Sequence, residues 1–395
     1  MSRKSVLIAG AGIAGPALAY WLRERGFEPT IVERAQKFRT GGYVIDFWGV
    51  GYDVAERMGL RPFLQDVGYA NDRAVFVNCD GSKRSEIGGN TLRRALGNRF
   101  VSIQRGDLAG MIFAMVADKT ETIFGDEIFA IEEREERVEV TFRRGSMRSF
   151  DYIVGADGLR STVRTRIFMD TPVRQFLGYY AASFVAEEYP RRDEGIYLSF
   201  AAPGRQVSRY ALRDGKTGFL FVLRSDERLI QAEHDVAAQI DLLCRTFDRD
   251  GWEEWPEIRR RLESCTDLYF DAVSQVHLPA WSKGRIALVG DAAYCPSLLA
   301  GEGAAFAMAG AYILAGELGR MAGDHAAAFQ NYERKFRPFI EQKQRSARRF
   351  AGSFAPRTQL GLFVRDAVLR LSALPAVADW LMARYVKDAF TLPDY

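Results

Sequence analysis

Histidine is scarce in this chain: three occur among 395 residues, His234, His277 and His325, each isolated from the others. That excludes a histidine-built metal site and a histidine-based catalytic triad. Cysteine is sparse as well. Cys79, Cys244, Cys265 and Cys295 show neither close pairing nor metal-ligand spacing, and with no credible signal peptide they read as reduced thiols of a cytoplasmic protein. Arg3, Lys4 and the apolar residues 6–22 imitate a secretion signal, but three glycines at turn spacing and a charged continuation fit folded structure better. No charge-free run reaches the length of a stable membrane insertion. Nor is there an excess of one charge: 54 basic residues face 51 acidic ones, a balance that argues against wholesale nucleic-acid binding. Repeats and low-complexity linkers are also missing, so the domains that this length suggests are interleaved rather than strung in series.

What is present begins at residues 5–34, SVLIAGAGIAGPALAYWLRERGFEPTIVER. A short apolar run enters the pattern Gly10–Gly12–Gly15, a helix follows to about Arg25, Gly26 ends it, and a second apolar run delivers Glu33. This is the order of a dinucleotide-binding unit. Gly10 permits a sharp turn, Gly12 lets backbone approach a pyrophosphate, and Gly15 lets helix and strand pack closely. The phosphates would meet unpaired N–H groups at the helix N-terminus. Glu33 follows Gly12 at close to the ~20-residue spacing of the carboxylate that accepts ribose hydroxyls. Pro16 falls in the first helical turn, where a missing N–H costs nothing.

Further along, Gly41-Gly42 marks a loop and 49–59 a helix. Residues 74–79 and 84–87 read as strands around an Asp80-Gly81 turn. Arg105 and Asp107 open a helix, with Asp107 as its N-cap or first-turn acid. Residues 126–150 alternate as a charged strand pair. DYIVGADGLRSTVR (151–164) is a strand ending in Asp157-Gly158 before a basic helix-competent stretch. Between 178 and 224, aromatic-rich strands separated by Pro203-Gly204 and Asp214-Gly215 suggest an inserted antiparallel sheet. Helices are expected at 231–247 and 253–265. GRIALVGDAAYCPSLLAGEGAAFAMAGAYILAGEL (284–318) returns to strand, glycine and helix, and 304–318 is apolar all round, hence buried. The end is helical, with Phe329, Tyr332, Phe336, Phe339 and Ile340, then Leu360, Phe363, Val364, Ala367 and Leu371, at helix spacing. The basic stretch 334–349 reads as a solvated helix face rather than a membrane or nucleic-acid surface.

At GAGIAG with Glu33, VGADGLRSTVR and VGDAAYCPSLLAGEG, taken together and in this order, the chain resembles the FAD-dependent monooxygenases of the para-hydroxybenzoate hydroxylase family. That group includes the tetracycline-inactivating flavoenzymes. The resemblance covers essentially the whole chain. It implies an α/β fold: a glutathione-reductase-type FAD-binding Rossmann domain with an inserted, mainly antiparallel β-sheet substrate domain and C-terminal helices. The expected division is 1–72, 98–176 and 270–325 for FAD, 73–97 and 177–269 for substrate, and 326–395 for the helices.

Residue by residue, the resemblance implies that Gly10, Gly12, Ala14 and Gly15 approach the FAD diphosphate, Glu33 holds the ribose, and Arg34 lies along the adenine side. Arg105 contacts the ribityl–phosphate region. Asp157 and Gly158 lie near the diphosphate and serve the nicotinamide cofactor. Gly290 and Asp291 meet the ribityl chain, and Gly301 and Gly303 sit beside the reactive edge of the isoalloxazine. Read alone, Asp157 is a turn aspartate, Asp291 a possible helix N-cap and Arg105 a possible surface arginine. Two departures stand out: Tyr294 replaces the family's histidine and Leu298 its proline, with Pro296 two positions early. These touch local flavin contacts and the oxygen chemistry.

The implied activity is that of a single-component monooxygenase without a protein nucleophile or metal. NADPH or NADH would reduce FAD, molecular oxygen would add as a flavin hydroperoxide, and one oxygen atom would pass to an apolar, aromatic or polyketide-like small molecule. With a single complete dinucleotide fingerprint, the nicotinamide must bind without its own Rossmann domain. Tyr43, Phe47, Phe184, Tyr210, Phe219 and Phe221 are the candidate substrate lining. A flavin halogenase fits less well, because the tryptophan spacing at Trp252 and Trp255 is wrong. A flavin-dependent reductase without oxygen transfer and a redox-silent FAD-binding protein are the remaining alternatives.

Overall fold

The computed structural model describes residues 3–39, 41–69, 73–88, 99–169, 173–191, 193–229, 234–371 and 390–395. Segments 89–98 and 372–389, expected in the substrate domain and the C-terminal helices, lie outside the described residues.

The apolar runs of the sequence become a parallel sheet because both of its faces are covered, helices and a small antiparallel sheet sharing the core with it. Its strand order is Ser282–Lys283, Ile286–Leu288, Tyr152–Gly155, Ser5–Ala9, Glu28–Glu33, Glu121–Phe124, parallel throughout except for the first. Val6, Leu7 and Ile8 are fully buried at its centre. Register brings Ala9 opposite both Gly155 and Val32, and Gly155 opposite Leu288. The three glycine-bearing motifs therefore leave the sheet side by side at its carboxyl edge.

Helix Ala14–Glu24 packs against helix Gly303–Arg320, which is buried along nearly its whole length, as its composition requires. Helix His325–Phe354 runs on through Pro338 and closes this core with Phe329, Tyr332, Phe336, Phe339 and Ile340. Its basic residues are largely committed. Lys343 pairs with Glu302 at 2.6 Å, Lys335 with Glu317, and Arg337 with Glu333. The second apolar stripe differs from the first: Leu360, Phe363, Val364 and Leu371 of helix Gln359–Leu371 face outward.

The second large sheet has the order Tyr269–Val276, Arg174–Ala186, Thr217–Arg224, Arg205–Ala211, Ile196–Ala202, Arg73–Val77, Lys83–Gly88. Its pairs are antiparallel except for Arg73–Val77 with Ile196–Ala202. Residues 270–276, assigned by sequence to the cofactor unit, thus pair inside the substrate sheet. Helices Val236–Phe247 and Trp255–Glu263 cover one face of it. The charged stretch read as a strand pair holds three strands, Ile128–Glu133, Val138–Phe142 and Met147–Phe150. Strands Val44–Trp48 and Phe100–Gln104 pair separately, and neither was evident from sequence. No described helix is long and apolar enough to cross a membrane.

The tightest point of the fold is the first turn. A Cβ on Gly15 would stand 1.9 Å from the Gly10 carbonyl oxygen, and one on Gly10, whose φ is +107°, would stand 2.7 Å from the Ala156 oxygen. Both obstacles are backbone and cannot swing aside. Gly15→Ala is expected to destabilise the apoprotein by about 2 kcal/mol or more, measured by denaturant unfolding.

Candidate cofactor and substrate site

At the carboxyl edge of the parallel sheet lies a cavity of about 1060 Å³. A drug-sized ligand occupies roughly 300–1,000 Å³ of pocket, so this space suits a dinucleotide-sized ligand. Gly10, Gly12, Ala14, Glu33, Arg34, Arg105, Asp157, Gly158, Asp291, Gly301 and Gly303 all border it. Gly15 lies behind the turn and Gly290 behind the strand end, where a Cβ would stand 3.1 Å from Ala14 Cβ.

Glu33 is fixed before any ligand arrives. The N–H of Ala11 donates to its Oε2 at 2.9 Å and the N–H of Ala35 to its Oε1 at 2.8 Å. This leaves lone pairs of both oxygens available to ribose hydroxyls. A Cβ on Gly12 would meet nothing nearer than Arg105 Nη2 at 3.9 Å, so backbone is bare where a diphosphate would lie. Arg105 begins helix Arg105–Ala114, with Asp107 in its first turn, and its N–H donates to the Tyr43 oxygen at 3.0 Å. Its charge acts on Asp291, whose carboxyl is nevertheless held above the usual carboxylate range by burial. A desolvated carboxylate facing a cavity calls for hydroxyl donors. Gly303, where helix Gly303–Arg320 starts, brings its would-be Cβ to 3.7 Å from Asp291 Oδ1.

Asp157 behaves as the turn reading has it. Its carboxylate accepts from Thr162 N at 2.7 Å, Thr162 Oγ1 at 3.0 Å, Val163 N at 3.2 Å and the Ser161 hydroxyl. It anchors helix Thr162–Ile167 at the cavity rim through three bonds to Oδ2, while Oδ1 accepts only from Ser161 among the described residues. The same motif ends in a residue to which sequence reading gave no role. Arg164 is buried and donates to the Ala292 oxygen at 3.0 Å and the Leu159 oxygen at 2.6 Å. It ties the Asp157 turn to the Asp291 turn. The signal was available in the final arginine of VGADGLRSTVR, but nothing in one sequence shows an arginine pointing inward.

The candidate substrate lining divides by sheet face. Tyr43 borders the cavity and packs on Tyr269 with ring centroids 5.3 Å apart. Tyr210 lies on the cofactor-facing side, stacked on Tyr197, and its hydroxyl accepts from Val44 N at 3.3 Å. Burial pushes its pKa up to about 12. Phe219 and Phe221 need correcting. They are fully buried on the opposite face, against Tyr189, Phe247 and Trp255, because alternate residues of a strand point to opposite faces. Phe184 touches the cavity edge while its ring stacks on Phe219. Phe47 is likewise turned into the cofactor-side core, beside Tyr52.

Tyr294 also points away from the cavity. Its ring lies between Trp281 and Phe336, its hydroxyl meets Tyr332 Oη at 3.3 Å, and a Cβ on Gly310 would collide with it. Leu298 does border the cavity, at the start of the 3₁₀ turn Leu298–Ala300.

Set beside known proteins, residues 3–347 match the family profile described as FAD binding domain. A flavin-dependent monooxygenase of an unknown prokaryotic organism is 37% identical over 346 residues, covering 86% of this chain and 88% of its own. A flavin-dependent monooxygenase of Legionella longbeachae serogroup 1 (strain NSW150) is 33% identical over 394 residues, covering 99% and 98%. Among solved structures, the tetracycline destructase Tet(55) superposes with a TM-score of 0.85 at 33% identity, covering 100% of this chain and 99% of that one.

The Glu33 geometry sets the first binding test. A glutamine there would turn an amide NH₂ toward one of two backbone N–H donors and lose the charge. Glu33→Gln is expected to weaken FAD binding at least about tenfold, read by titrating apoprotein with FAD.

Proposed function

The chain belongs to the FAD binding domain family and is a flavin-dependent monooxygenase, and on that premise we propose that NADPH or NADH drives transfer of one oxygen atom to a fused-ring, polyketide-like small molecule of the tetracycline kind. The observation that carries this reading is the continuity of the cavity. It runs from Gly12 and Glu33 to Tyr269 and Val273 on the edge strand of the large sheet. Cofactor and ring substrate would then share one continuous space, with the parallel sheet as the cofactor's floor and the second sheet as the substrate's roof. The tetracycline class comes from the likeness to Tet(55) along the whole chain.

Bound FAD would supply electron acceptance from the nicotinamide and the activation of oxygen. The protein's part is positional. Gly10, Gly12 and the start of helix Ala14–Glu24 would offer N–H groups to the diphosphate. Glu33 would accept from the ribose, with Arg34 along the adenine. Arg105 would neutralise phosphate charge, while Asp291 would accept from ribityl hydroxyls. The N-terminus of helix Gly303–Arg320 presents a positive dipole end and free N–H groups, which favour negative charge gathering beside Gly301 and Gly303. Tyr43 and Tyr269 would offer flat, apolar surface to a ring system at the cavity wall, with Tyr197 and Tyr210 packed together in the large sheet. Without a second dinucleotide unit, the nicotinamide is a visitor at the cavity mouth rather than a resident.

The test is direct. FAD-loaded enzyme with NADPH or NADH is expected to consume oxygen faster when tetracycline is added, and the product should gain one oxygen atom. Oxygen appearing wholly as peroxide with tetracycline intact would make the protein a reductase or oxidase. A flavin that neither nicotinamide bleaches would make it redox-silent. Tyr294→Phe carries a second expectation. Because that hydroxyl faces the core, turnover should stay within about twofold of the parent, while stability falls by about 1 kcal/mol in denaturant unfolding.

A further inference from the structure

Strand Val44–Trp48 places one side chain where neither folding nor the cofactor accounts for it. Ile45 and Phe47 turn into the cofactor-side core, so Asp46 projects from the other face. That face meets the inner side of the large sheet, where Tyr210 receives the hydrogen bond from Val44 N. Asp46 is open to solvent-sized contact, yet it is desolvated enough for burial to raise its pKa. A group both accessible and desolvated lies in a recess of the molecule, not on its outer surface.

The carboxylate is also under-used. Ser102 Oγ donates to Oδ1 at 2.5 Å, and among the described residues no lysine or arginine pairs with it. An ionised carboxylate can take about four hydrogen bonds, and among the described residues none reaches Oδ2. Its strand leads toward the cavity, which Ile45 and Gly301 border. Tyr197 lies near enough for the charge of Asp46 to disfavour its phenolate. Two residues along the same face, the Trp48 ring stands 3.7 Å from where a Cβ of Gly301 would be.

We propose that Asp46 is a specificity-determining residue, accepting a hydrogen bond from a hydroxyl or protonated amine on the ring substrate. The proposal rests on the monooxygenase reading only for where the substrate lies. A carboxylate held in a partly dry recess rewards a ligand that brings a donor and penalises one that does not. Ser102 ties down one oxygen of the acid, which leaves the other to be reached by a ligand. Asp46 would fix which edge of a ring system faces the oxygen-transferring side.

The experiment uses the oxidised, FAD-loaded enzyme without nicotinamide and reads calorimetric binding of three naphthalene probes. 1-Naphthol brings a hydroxyl, 1-naphthylmethylamine a protonated amine, and 1-methoxynaphthalene no donor. The parent is expected to bind at least one donor probe about tenfold more tightly than the ether. Asp46→Ala should erase that preference while leaving ether affinity and flavin content unchanged. Asp46→Asn separates the sources: it keeps a preference for naphthol if the partner is a hydroxyl and loses the preference for the amine if it is a cation. Should the alanine variant lose its flavin, Asp46→Val, a better strand former, makes the same comparison. A parent that binds the ether as well as both donors, or a preference that survives in the alanine or valine variant, overturns the proposal. These probes are independent of tetracycline oxidation, so an enzyme inactive on tetracycline would still give the donor comparison its answer.

Discussion

Everything in this molecule depends on how closely one strand and one helix approach across a single turn. The Gly10 oxygen occupies the space a Cβ of residue 15 would need, and the Ala156 oxygen closes the other side. Backbone packed that tightly leaves the first N–H groups of helix Ala14–Glu24 with no side chain in front of them. The close approach that constrains the fold is thus the one that makes the anion site. Parallel pairing then copies the advantage sideways. Since Ala9, Val32, Gly155 and Leu288 lie in register, the turns after them open on one edge. A cofactor too long for one turn can be held by three.

This explains which parts were legible beforehand. Glycines at close approaches, apolar runs covered on both faces and a carboxylate at fixed spacing are local consequences of backbone geometry, and they survive in a sequence as patterns. The aromatic strands were legible as strands for the same reason. Their faces were not. In Thr217–Arg224 both faces are largely buried, so Phe219 and Phe221 carry no alternation that tells a substrate wall from a helix-covered core. Tyr210 shows the one local clue, because it stands opposite Gly218, whose missing side chain makes room for its ring. Strand Val44–Trp48 escaped notice because it is short and, among the described residues, pairs only with Phe100–Gln104, far along the chain.

Arg164 and Tyr294 teach the complementary point. Both sit inside recognisable motifs, and in both the motif says nothing about direction. Arg164 turns inward because two carbonyls at turn ends need donors. In an interior position an arginine can serve both at once, at the cost of a guanidinium whose pKa burial lowers. Tyr294 turns inward because Gly310 leaves a space of its shape between Trp281 and Phe336. A substitution that looked chemical at the level of sequence is a packing solution at the level of structure.

The loop carrying that substitution is held from behind. Gln344 Nε2 donates to the oxygens of Val276 and Cys295 at 2.8 and 3.2 Å, and Gln275 Nε2 donates to the Pro296 oxygen at 2.7 Å. On the far side of the loop the Glu302–Lys343 pair fixes the start of helix Gly303–Arg320. Between these clamps Ser297 is kept at a φ of +132°, a conformation costing a non-glycine residue on the order of 1–3 kcal/mol. Strain of that size persists only where neighbours over-determine the backbone, and here they are two buried amides and a partly buried ion pair. Leu298, Gly301 and Gly303 border the cavity just beyond it. With so little histidine to work with, the protein relies on placement at this point: a stiff loop, its own N–H groups bonded internally, delivers the N-terminus of helix Gly303–Arg320 to the cavity and leaves the chemistry to the cofactor.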